Sequence, residues 1–487
     1  MKKIIYKISL GLFLIGAAGC KKQITINPTH LATLENAFKE MKDYENGLSA
    51  VYNSMRGVGY YGRNMSALPD MSTDNLVQTT ESLVNFLEIT DWLYTPQNGT
   101  VAETWLACYS IINNANIIIN SIDKLTTPAN QKQANRIKGQ CLAVRAMVHF
   151  DLLRYFADNL NRNSTTAGVP YRKLSVLEES PASIKPSRES VSSNYDNIYA
   201  DLNTARTLLS DIDVSINGNG PKYKIDLIGL SAIYARVALY AKDYPAAISN
   251  ATTVINALPL ATRSVYPSIW RDQSNAEVAF ASLFALGEFA SRLAGDVYSP
   301  PPGTNRSQFE GNPSLFAQID EVNDVRFSTS VTRGFSTTTL VRANTRLVVT
   351  KYLGKGTAID GIVDWKAFRT GEMYLIRAEA YANTTGQELN ALADLNTLRA
   401  ARIQGFVPGT ETGQALIDAI ALERRKELFM EGHRWFDLKR TSRVIDRGTI
   451  SSPTTQSQLA NTRREWVWPI PQGERDANIN IQQNSGY

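Results

Sequence analysis

Hydrophobic residues recur every three or four positions along much of this chain, which is the period of an amphipathic α-helix. One such stripe lies within 136–156 and consists of Ile137, Cys141, Val144, Val148, Leu152 and Tyr155. Comparable stripes run through about 101–122, 190–209, 226–242, 244–256, 371–383, 387–402 and 414–431. The chain is therefore predicted to be mostly α-helical.

Some of the predicted helices repeat one another. The segments "RVALYA" (236–241) and "RAEAYA" (377–382) share the pattern R-x-x-x-Y-A, and "RAMVHF" (145–150) is a looser copy. A second helix follows each of the first two copies within a few residues. Such pairs are typical of tetratricopeptide-like repeats, in which each pair buries its apolar face against the next. We predict tetratricopeptide-like helical pairs that form an α-α superhelix.

Long irregular inserts, rich in Gly, Pro, Asn, Ser and Thr, separate the helical pairs. They lie at 57–100, 157–188, 211–224, 258–370 and 441–487. Connections of this length on a rigid helical frame usually carry function or fold as a subdomain. The inserts are therefore expected to contain a few short strands and the functional surface of the protein.

The N-terminus has the pattern of an export signal. Three lysines precede an apolar run at 8–19, which is shorter than the roughly 20 residues that span a bilayer. The run ends in "AAGC", which resembles a bacterial lipoprotein cleavage box. We predict a signal peptide at 1–19, lipidation of Cys20 and a tether at 20–30. Ordinary secretory cleavage, with Cys20 as a spare thiol, is the alternative.

Charge and cysteine content exclude several classes of protein. The formal net charge of +5 falls to +2 once the three lysines of the signal are removed, and no Lys/Arg block remains. A nucleic-acid partner, which needs a basic stripe, is therefore not expected. Cys108 and Cys141 match no zinc spacing. They are interpreted as buried free thiols, with a single disulfide between them as the alternative.

The run "ERRKELFMEGHRWFDLKR" carries the densest charge in the chain. On one helix, Glu427 and Glu431 would have Cβ atoms about 5–6 Å apart, close to the carboxylate separation of a retaining glycosidase. The nearby cations Arg424, Arg425 and Arg434 favour the ionised form of both carboxylates, whereas catalysis needs one raised pKa. We predict structural ion pairs rather than catalysis. A glycoside hydrolase using both glutamates remains the alternative.

No other catalytic or metal-binding pattern is present in the sequence. The only histidines, His30, His149 and His433, have no metal-ligand spacing, and no P-loop, G-x-S-x-G or G-x-G-x-x-G occurs. Asp70 and Asp74 in "PDMSTDN" are interpreted as turn residues, with calcium binding as the alternative. We predict no catalytic residue, no metal and no cofactor.

Aromatic residues in the inserts suggest a ligand surface. In "GYYGRN" and "SIWRDQ", rings stand beside amide and charged groups, a combination that suits a sugar, whose C–H face stacks while its hydroxyls bond. Tyr61, Arg63 and Trp270 are the candidate ligand contacts from composition. Packing of each ring against the scaffold is the alternative.

The charged run, together with "EMYLIRAEAYA" (372–382), "AVRAMVHFDLLRYFADN" (143–159) and "WPIPQGE" (468–474), resembles the SusD/RagB family of outer-membrane lipoproteins. The resemblance covers essentially the whole mature chain and implies one SusD-like domain at 31–487. Its expected parts are a repeat core at about 31–56, 101–157, 190–256 and 365–440, ligand-binding inserts at about 57–100 and 258–364, and a C-terminal segment at 441–487.

The resemblance also implies a function. Members are non-catalytic, sit on the cell exterior by a lipid anchor, bind an oligosaccharide and deliver it to a TonB-dependent (SusC-like) transporter. Trp92, Asn98 and Tyr298 fall where members tend to place stacking and amide groups. Two alternatives stay open, a peptide-binding member of the same uptake system and a repeat scaffold lipoprotein without a small ligand.

Overall fold

The computed structural model describes residues 37–80, 82, 84–176, 185–210, 222–285, 308–333, 347–450 and 453–487. The predicted signal peptide and tether, the lipidation site Cys20 and the candidate ligand contact Tyr298 lie outside these residues. The predicted domain boundaries stay a prediction.

Helices dominate the described residues. The long ones are α1 (Met41–Ser54), α4 (Gly99–Ser121), α5 (Gln131–Phe156), α6 (Val191–Ser210), α7 (Leu227–Ala241), α8 (Tyr244–Ala257), α12 (Thr370–Ala382), α13 (Glu388–Arg402) and α14 (Gly413–Glu427). The short ones are α2 (Leu68–Met71), α3 (Leu87–Thr90), α9 (Tyr266–Ile269), α10 (Pro313–Phe316), α11 (Val325–Ser330), α15 (Arg434–Arg440) and α16 (Gln472–Ala477). The mostly helical fold class is confirmed.

The long helices stack in chain order, as expected for helical repeats. Helix α4 packs on α5, α5 on α6, α7 on α8, α8 on α12, and α12 on both α13 and α14. Each helix therefore covers the apolar face of its neighbours, which is how a repeat array builds a continuous core.

An arginine near the middle of a first helix holds the second helix of its pair. Arg145 of α5 donates to both carboxylate oxygens of Asp201 in α6, at 2.7 and 2.6 Å. Arg377 of α12 does the same with Asp394 in α13, at 2.8 and 2.7 Å. The repeated arginine of the sequence pattern is thus a two-pronged link within a helix pair.

The α7–α8 pair uses its arginine differently. Arg236 donates to Glu372 of α12, at 2.7 Å from each of two nitrogens, and so joins one repeat to the next. The Asp226 side chain caps the start of α7. Lys242 ends that helix in the left-handed conformation (φ 59°), and the side chain of Asp243 then caps α8.

Short strands lie in the inserts. They are β1 (Leu76–Gln78), β2 (Val278–Ser282), β3 (Phe309–Gly311), β4 (Val331–Arg333), β5 (Leu347–Val349), β6 (Trp365–Arg369), β7 (Ile445–Asp446) and β8 (Gln458–Leu459). Four form an antiparallel sheet in the order β1-β3-β5-β4, while β2 pairs with β6 and β7 with β8. The sheet joins segments from both predicted ligand-binding inserts.

One large hydrophobic core runs through helices and inserts alike, from Tyr44 to Ile481. Cys108 and Cys141 lie in it as buried free thiols, so the alternative disulfide does not form. Burial raises the pKa of both thiols.

Candidate functional site

The charged run does not form one helix. Helix α14 ends at Glu427, a turn follows, and α15 starts at Arg434. Met430 and Gly432 in the turn have φ of 58° and 73°. A Cβ at Gly432 would lie 2.2 Å from the carbonyl oxygen of Met65, so only glycine fits. The expectation that Glu427 and Glu431 share one helix face is therefore wrong, because Glu431 lies in the turn.

Glu427 is the centre of a buried ion network. Its carboxylate accepts from Arg369 at 2.6 Å, Arg402 at 3.0 Å and Arg326 at 3.2 Å. Burial opposes ionisation, but the three guanidinium groups hold the pKa of Glu427 well below its usual value. A carboxylate kept ionised in this way does not serve as a general acid.

The network continues through Glu431 and Glu277. Glu431 accepts from Lys351 at 2.7 Å and from Arg369 at 2.6 and 2.7 Å. Glu277, just before β2, accepts from Arg369 at 2.8 Å and from Arg402 at 2.9 Å. The side chains of this cluster, which we call the Glu427 network, are Glu277, Arg326, Lys351, Arg369, Arg402, Glu427 and Glu431.

The prediction that Glu427 and Glu431 pair with Arg424 and Arg434 is wrong. All four side chains nevertheless form ion pairs with other residues. Arg424 binds Asp437 at 3.0 Å, and Arg434 binds both oxygens of Asp74 at 2.7 Å. The reason is geometric: Arg424 points to α15 and Arg434 to the first insert, while Glu427 meets cations from distant segments.

Asp70 anchors the turn of the charged run. Its carboxylate accepts from the backbone N–H of Met430 at 2.9 Å and of Gly432 at 3.2 Å, and from Asn75 at 2.6 Å. Among the described residues, no group of His, Cys, Asp and Glu side chains is arranged to hold a metal. The carboxylates of "PDMSTDN" here serve protein contacts.

Two candidate ligand contacts in the first insert are buried in the scaffold. Trp92 is 4% exposed, its Nε1 donates to the Ser72 carbonyl at 3.0 Å, and Arg447 covers its ring at 4.2 Å. Asn98 caps α4 by accepting from Val101 N at 3.1 Å. Neither side chain offers surface for stacking or binding a sugar, so the structure does not support these two assignments.

The candidates chosen from composition are also packed inside. Tyr61 is 3% exposed, and its hydroxyl contacts the Met147 sulfur at 3.4 Å. Trp270 is 1% exposed, with the Lys351 ammonium 4.0 Å from its ring. Both rings therefore belong to the core and not to an open ligand surface.

Arg63 is only partly buried, yet it is also engaged. It donates to Glu103 at 2.8 Å and to the Asn64 side chain at 2.8 Å, and its guanidinium lies 5.1 Å from the Phe86 ring. These contacts fix the first insert against α4. The structure does not bring Arg63 together with the other candidates at one surface.

A different surface combines open aromatic and polar groups. A cleft of about 200 Å³ has three walls. They are the C-terminal end of α1, the segment before α7, and β2. We call it the Tyr223 cleft, and its lining is Ser49, Tyr52, Asn53, Arg56, Tyr223, Lys224, Phe280, Ala281, Ser282 and Leu283. A hydrogen bond of 2.8 Å from Ala281 N to the Lys222 carbonyl holds the segment before α7 beside β2.

The aromatic part of the Tyr223 cleft is preorganised. Tyr223 is 44% exposed. The hydroxyl of Tyr52 donates to Gln140 at 2.6 Å and accepts from Ile225 N at 2.9 Å, which fixes the ring. The Phe280 ring lies behind it, with centroids 6.1 Å apart. A ligand in the cleft would therefore meet one partly exposed ring, Tyr223, beside one fixed ring, Tyr52.

Polar groups surround these rings. Arg56 donates to the Leu283 carbonyl at 3.3 Å and also contacts the Asn53 side chain. Lys224 and Ser49 complete the polar rim. Amide, guanidinium and hydroxyl groups beside an open ring can bind the hydroxyls of a sugar whose C–H face stacks on that ring.

Two stretches of the chain match profiles of known families. A profile described as "SusD family" matches residues 341–487. A second, described as "Starch-binding associating with outer membrane", matches residues 33–239. The chain belongs to the SusD/RagB family. The resemblance drawn from the charged run and the helical repeats is thereby confirmed.

Relatives and solved structures of this family match over nearly their whole length. A SusD-like protein from Formosa agariphila is 23% identical, over 99% of this chain and 97% of that protein. The crystal structure of a SusD superfamily protein from Bacteroides thetaiotaomicron is 24% identical with a TM-score of 0.80, over 92% and 100% of the two chains. A SusD-like carbohydrate binding protein from Bacteroides vulgatus is 23% identical with a TM-score of 0.77, over 92% and 100%.

In this SusD/RagB member, the described helices include none that is long and apolar enough to cross a membrane. The sequence reasoning missed Tyr52 and Tyr223 as surface residues. A signal existed for Tyr223, which stands between two lysines in "PKYKID" at the end of the insert at 211–224.

Proposed function

We propose that this SusD/RagB protein is a cell-surface lipoprotein that binds an oligosaccharide and delivers it to a TonB-dependent outer-membrane transporter. The observation that carries the sugar-binding part is the Tyr223 cleft. It joins a ring that is 44% exposed to a fixed second ring and a polar rim. This is the chemistry that a neutral sugar chain needs.

The comparisons support the same proposal. One matching profile is described as starch-binding and associating with the outer membrane, and one structural neighbour is described as a carbohydrate binding protein. The "AAGC" start supports a lipid on Cys20. The transporter partner rests on membership of the family alone.

A glycan panel tests the sugar-binding part. We expect the purified protein to bind at least one neutral oligosaccharide, and Tyr223→Ala to weaken that binding by about tenfold, because loss of one stacked ring removes roughly 1–1.5 kcal/mol. Leu389→Ala, at a residue that is 81% exposed on α13, is the control and should bind as wild type does. Equal binding by Tyr223→Ala, or no binding across the panel, would contradict the proposal.

A separate experiment tests delivery. The native protein is purified gently from membranes, and co-purifying proteins are identified; we expect an outer-membrane transporter. Cys20→Ala should release the protein from the membrane fraction. Glycan binding without a transporter would overturn delivery and leave the binding proposal standing.

The proposal includes no catalysis. The buried, ionised Glu427 offers no proton to a glycosidic bond. We expect no release of reducing sugar from any glycan that the protein binds. Release by wild type that is lost in a folded Glu427→Gln variant would restore the hydrolase alternative.

A further inference from the structure

A second cavity, of about 320 Å³, lies among α7, α8, α12, α14 and α15. None of these elements contributes to the Tyr223 cleft. We call this cavity the repeat groove. Its volume falls in the range of about 300–1,000 Å³ that small-molecule sites occupy.

The repeat groove has more cationic than anionic side chains. Its cations are Lys242, Arg424, Arg434, Arg440 and Arg443, whereas Glu379 and Asp437 are its carboxylates. Such an excess favours a ligand with negative charge.

Arginines of the groove already bind both of its carboxylates, Glu379 and Asp437. Arg440 donates to Glu379 at 2.8 Å and to Asp437 at 3.0 Å, and Arg424 donates to Asp437 at 3.0 Å. Arg424 is 3% exposed, and its Nη1 has no hydrogen-bond partner among the described residues. One donor of a buried guanidinium is therefore unused, which costs free energy unless a further acceptor reaches it.

Carboxylates outside the groove balance only some of the remaining cations. Asp74 pairs with Arg434 and Asp418 with Arg443, each at 2.7 Å. Lys242 forms no ion pair within the part of the chain that the structure describes. It stands where α7 ends, in the left-handed conformation. The positive charge that is not neutralised is therefore concentrated at Lys242, beside the groove.

The remaining walls are aromatic and apolar. Tyr244, the first residue of α8, is half-buried and lines the groove together with Ile417, Ile420 and Leu438. An aromatic ring, apolar side chains and cations that line one groove suit a small ring that carries an acid group. We propose that the repeat groove binds one sugar-acid unit, with its carboxylate held by Lys242 and Arg424 and its ring against Tyr244.

Titration calorimetry with glucuronate and with glucose tests this proposal. We expect glucuronate to bind with a Kd below about 10 mM and glucose to bind at least tenfold more weakly. Added salt should weaken glucuronate binding, because the groove is open to solvent. Equal affinity for the two sugars, or no glucuronate binding below about 10 mM, would overturn the proposal.

Variants locate the binding. Lys242→Met should weaken glucuronate binding by about tenfold. Lys132→Met, at an exposed lysine of α5, should bind glucuronate as wild type does. Tyr223→Ala should also leave glucuronate binding unchanged, because the two sites share no element. Unchanged binding in Lys242→Met would overturn the assignment to the groove, whereas a loss in Tyr223→Ala would place glucuronate in the cleft instead.

Discussion

The Glu427 network and the Tyr223 cleft use charged and aromatic residues in opposite ways. In the network, Glu427, Arg402 and Arg326 are all fully buried, and each charge meets several opposite charges. In the cleft, Tyr223 stands partly in solvent beside polar groups at the rim. The densest charge in the sequence therefore marks internal structure, and the ligand surface uses fewer and less conspicuous residues.

Removing the central carboxylate tests the network most severely. Glu427→Gln should lower the free energy of unfolding by about 5 kcal/mol, because three buried guanidinium groups lose their common counter-charge. Chemical denaturation measures this change. Arg443→Gln, in an exposed ion pair with Asp418, is the control and should cost less than about 1 kcal/mol. A small loss in Glu427→Gln would show that the network tolerates an unpaired charge.

Trp92 distinguishes a packed ring from a ligand platform. Trp92→Ala should lower the free energy of unfolding by about 3 kcal/mol, since the variant leaves a cavity beneath Arg447. The neighbouring Leu93 is 55% exposed, and Leu93→Ala should change stability by less than about 0.5 kcal/mol. Thermal and denaturant unfolding measure both. A stable Trp92→Ala variant with weaker glycan binding would return Trp92 to the ligand surface.

Asp70 makes the anchor of the charged run sensitive to pH. Burial raises the pKa of Asp70 to about 6, although its hydrogen bonds oppose this shift. Between the unfolded value near 3.8 and about 6, the folded state holds a proton that the unfolded state has lost. The contribution of Asp70 to stability is therefore fully present below the unfolded pKa and declines as pH rises through 6.

Comparing wild type with Asp70→Asn isolates that contribution. The stability advantage of wild type over the variant should shrink by about 2–3 kcal/mol from pH 4 to pH 7. Urea unfolding at several pH values measures it. An advantage that grows with pH would show that the hydrogen bonds from the turn outweigh burial.

The smallest change is expected in the cleft. Tyr223→Ala should alter the free energy of unfolding by no more than about 0.5 kcal/mol, because the ring is largely outside the core. Differential scanning calorimetry measures this change. A loss above about 2 kcal/mol would assign Tyr223 to the scaffold and remove the contrast between the two regions.

Local patterns in the sequence were sufficient to predict the helical frame. The apolar period in 136–156 and the repeated R-x-x-x-Y-A segments depend on neighbours within one or two turns, and helices lie at those positions in the structure. The ion-pair partners of Glu427 could not be found in this way. Arg369 and Arg326 lie 58 and 101 residues away along the chain, and only the tertiary fold brings them together.

The candidate site was harder to predict for a related reason. The local sequence, an aromatic residue beside Asn, Gln or Arg, is the same whether the ring faces solvent or the core. Trp92 is covered by Arg447, which lies in the C-terminal segment, and Trp270 by Lys351. Exposure is set by what packs on a loop from elsewhere, so the sequence of the loop alone did not separate Tyr223 from the buried rings.

The contacts of the first insert with the C-terminal part have a consequence for the order of folding. Asp70 accepts a hydrogen bond from Gly432 and Asp74 accepts one from Arg434. The Trp92 ring is covered by Arg447. A chain that emerges from the ribosome N-terminus first cannot make these contacts until the partners at Gly432, Arg434 and Arg447 have been synthesised. Such distant pairings slow folding. The first insert therefore completes its packing only after the C-terminal part of the chain has been made.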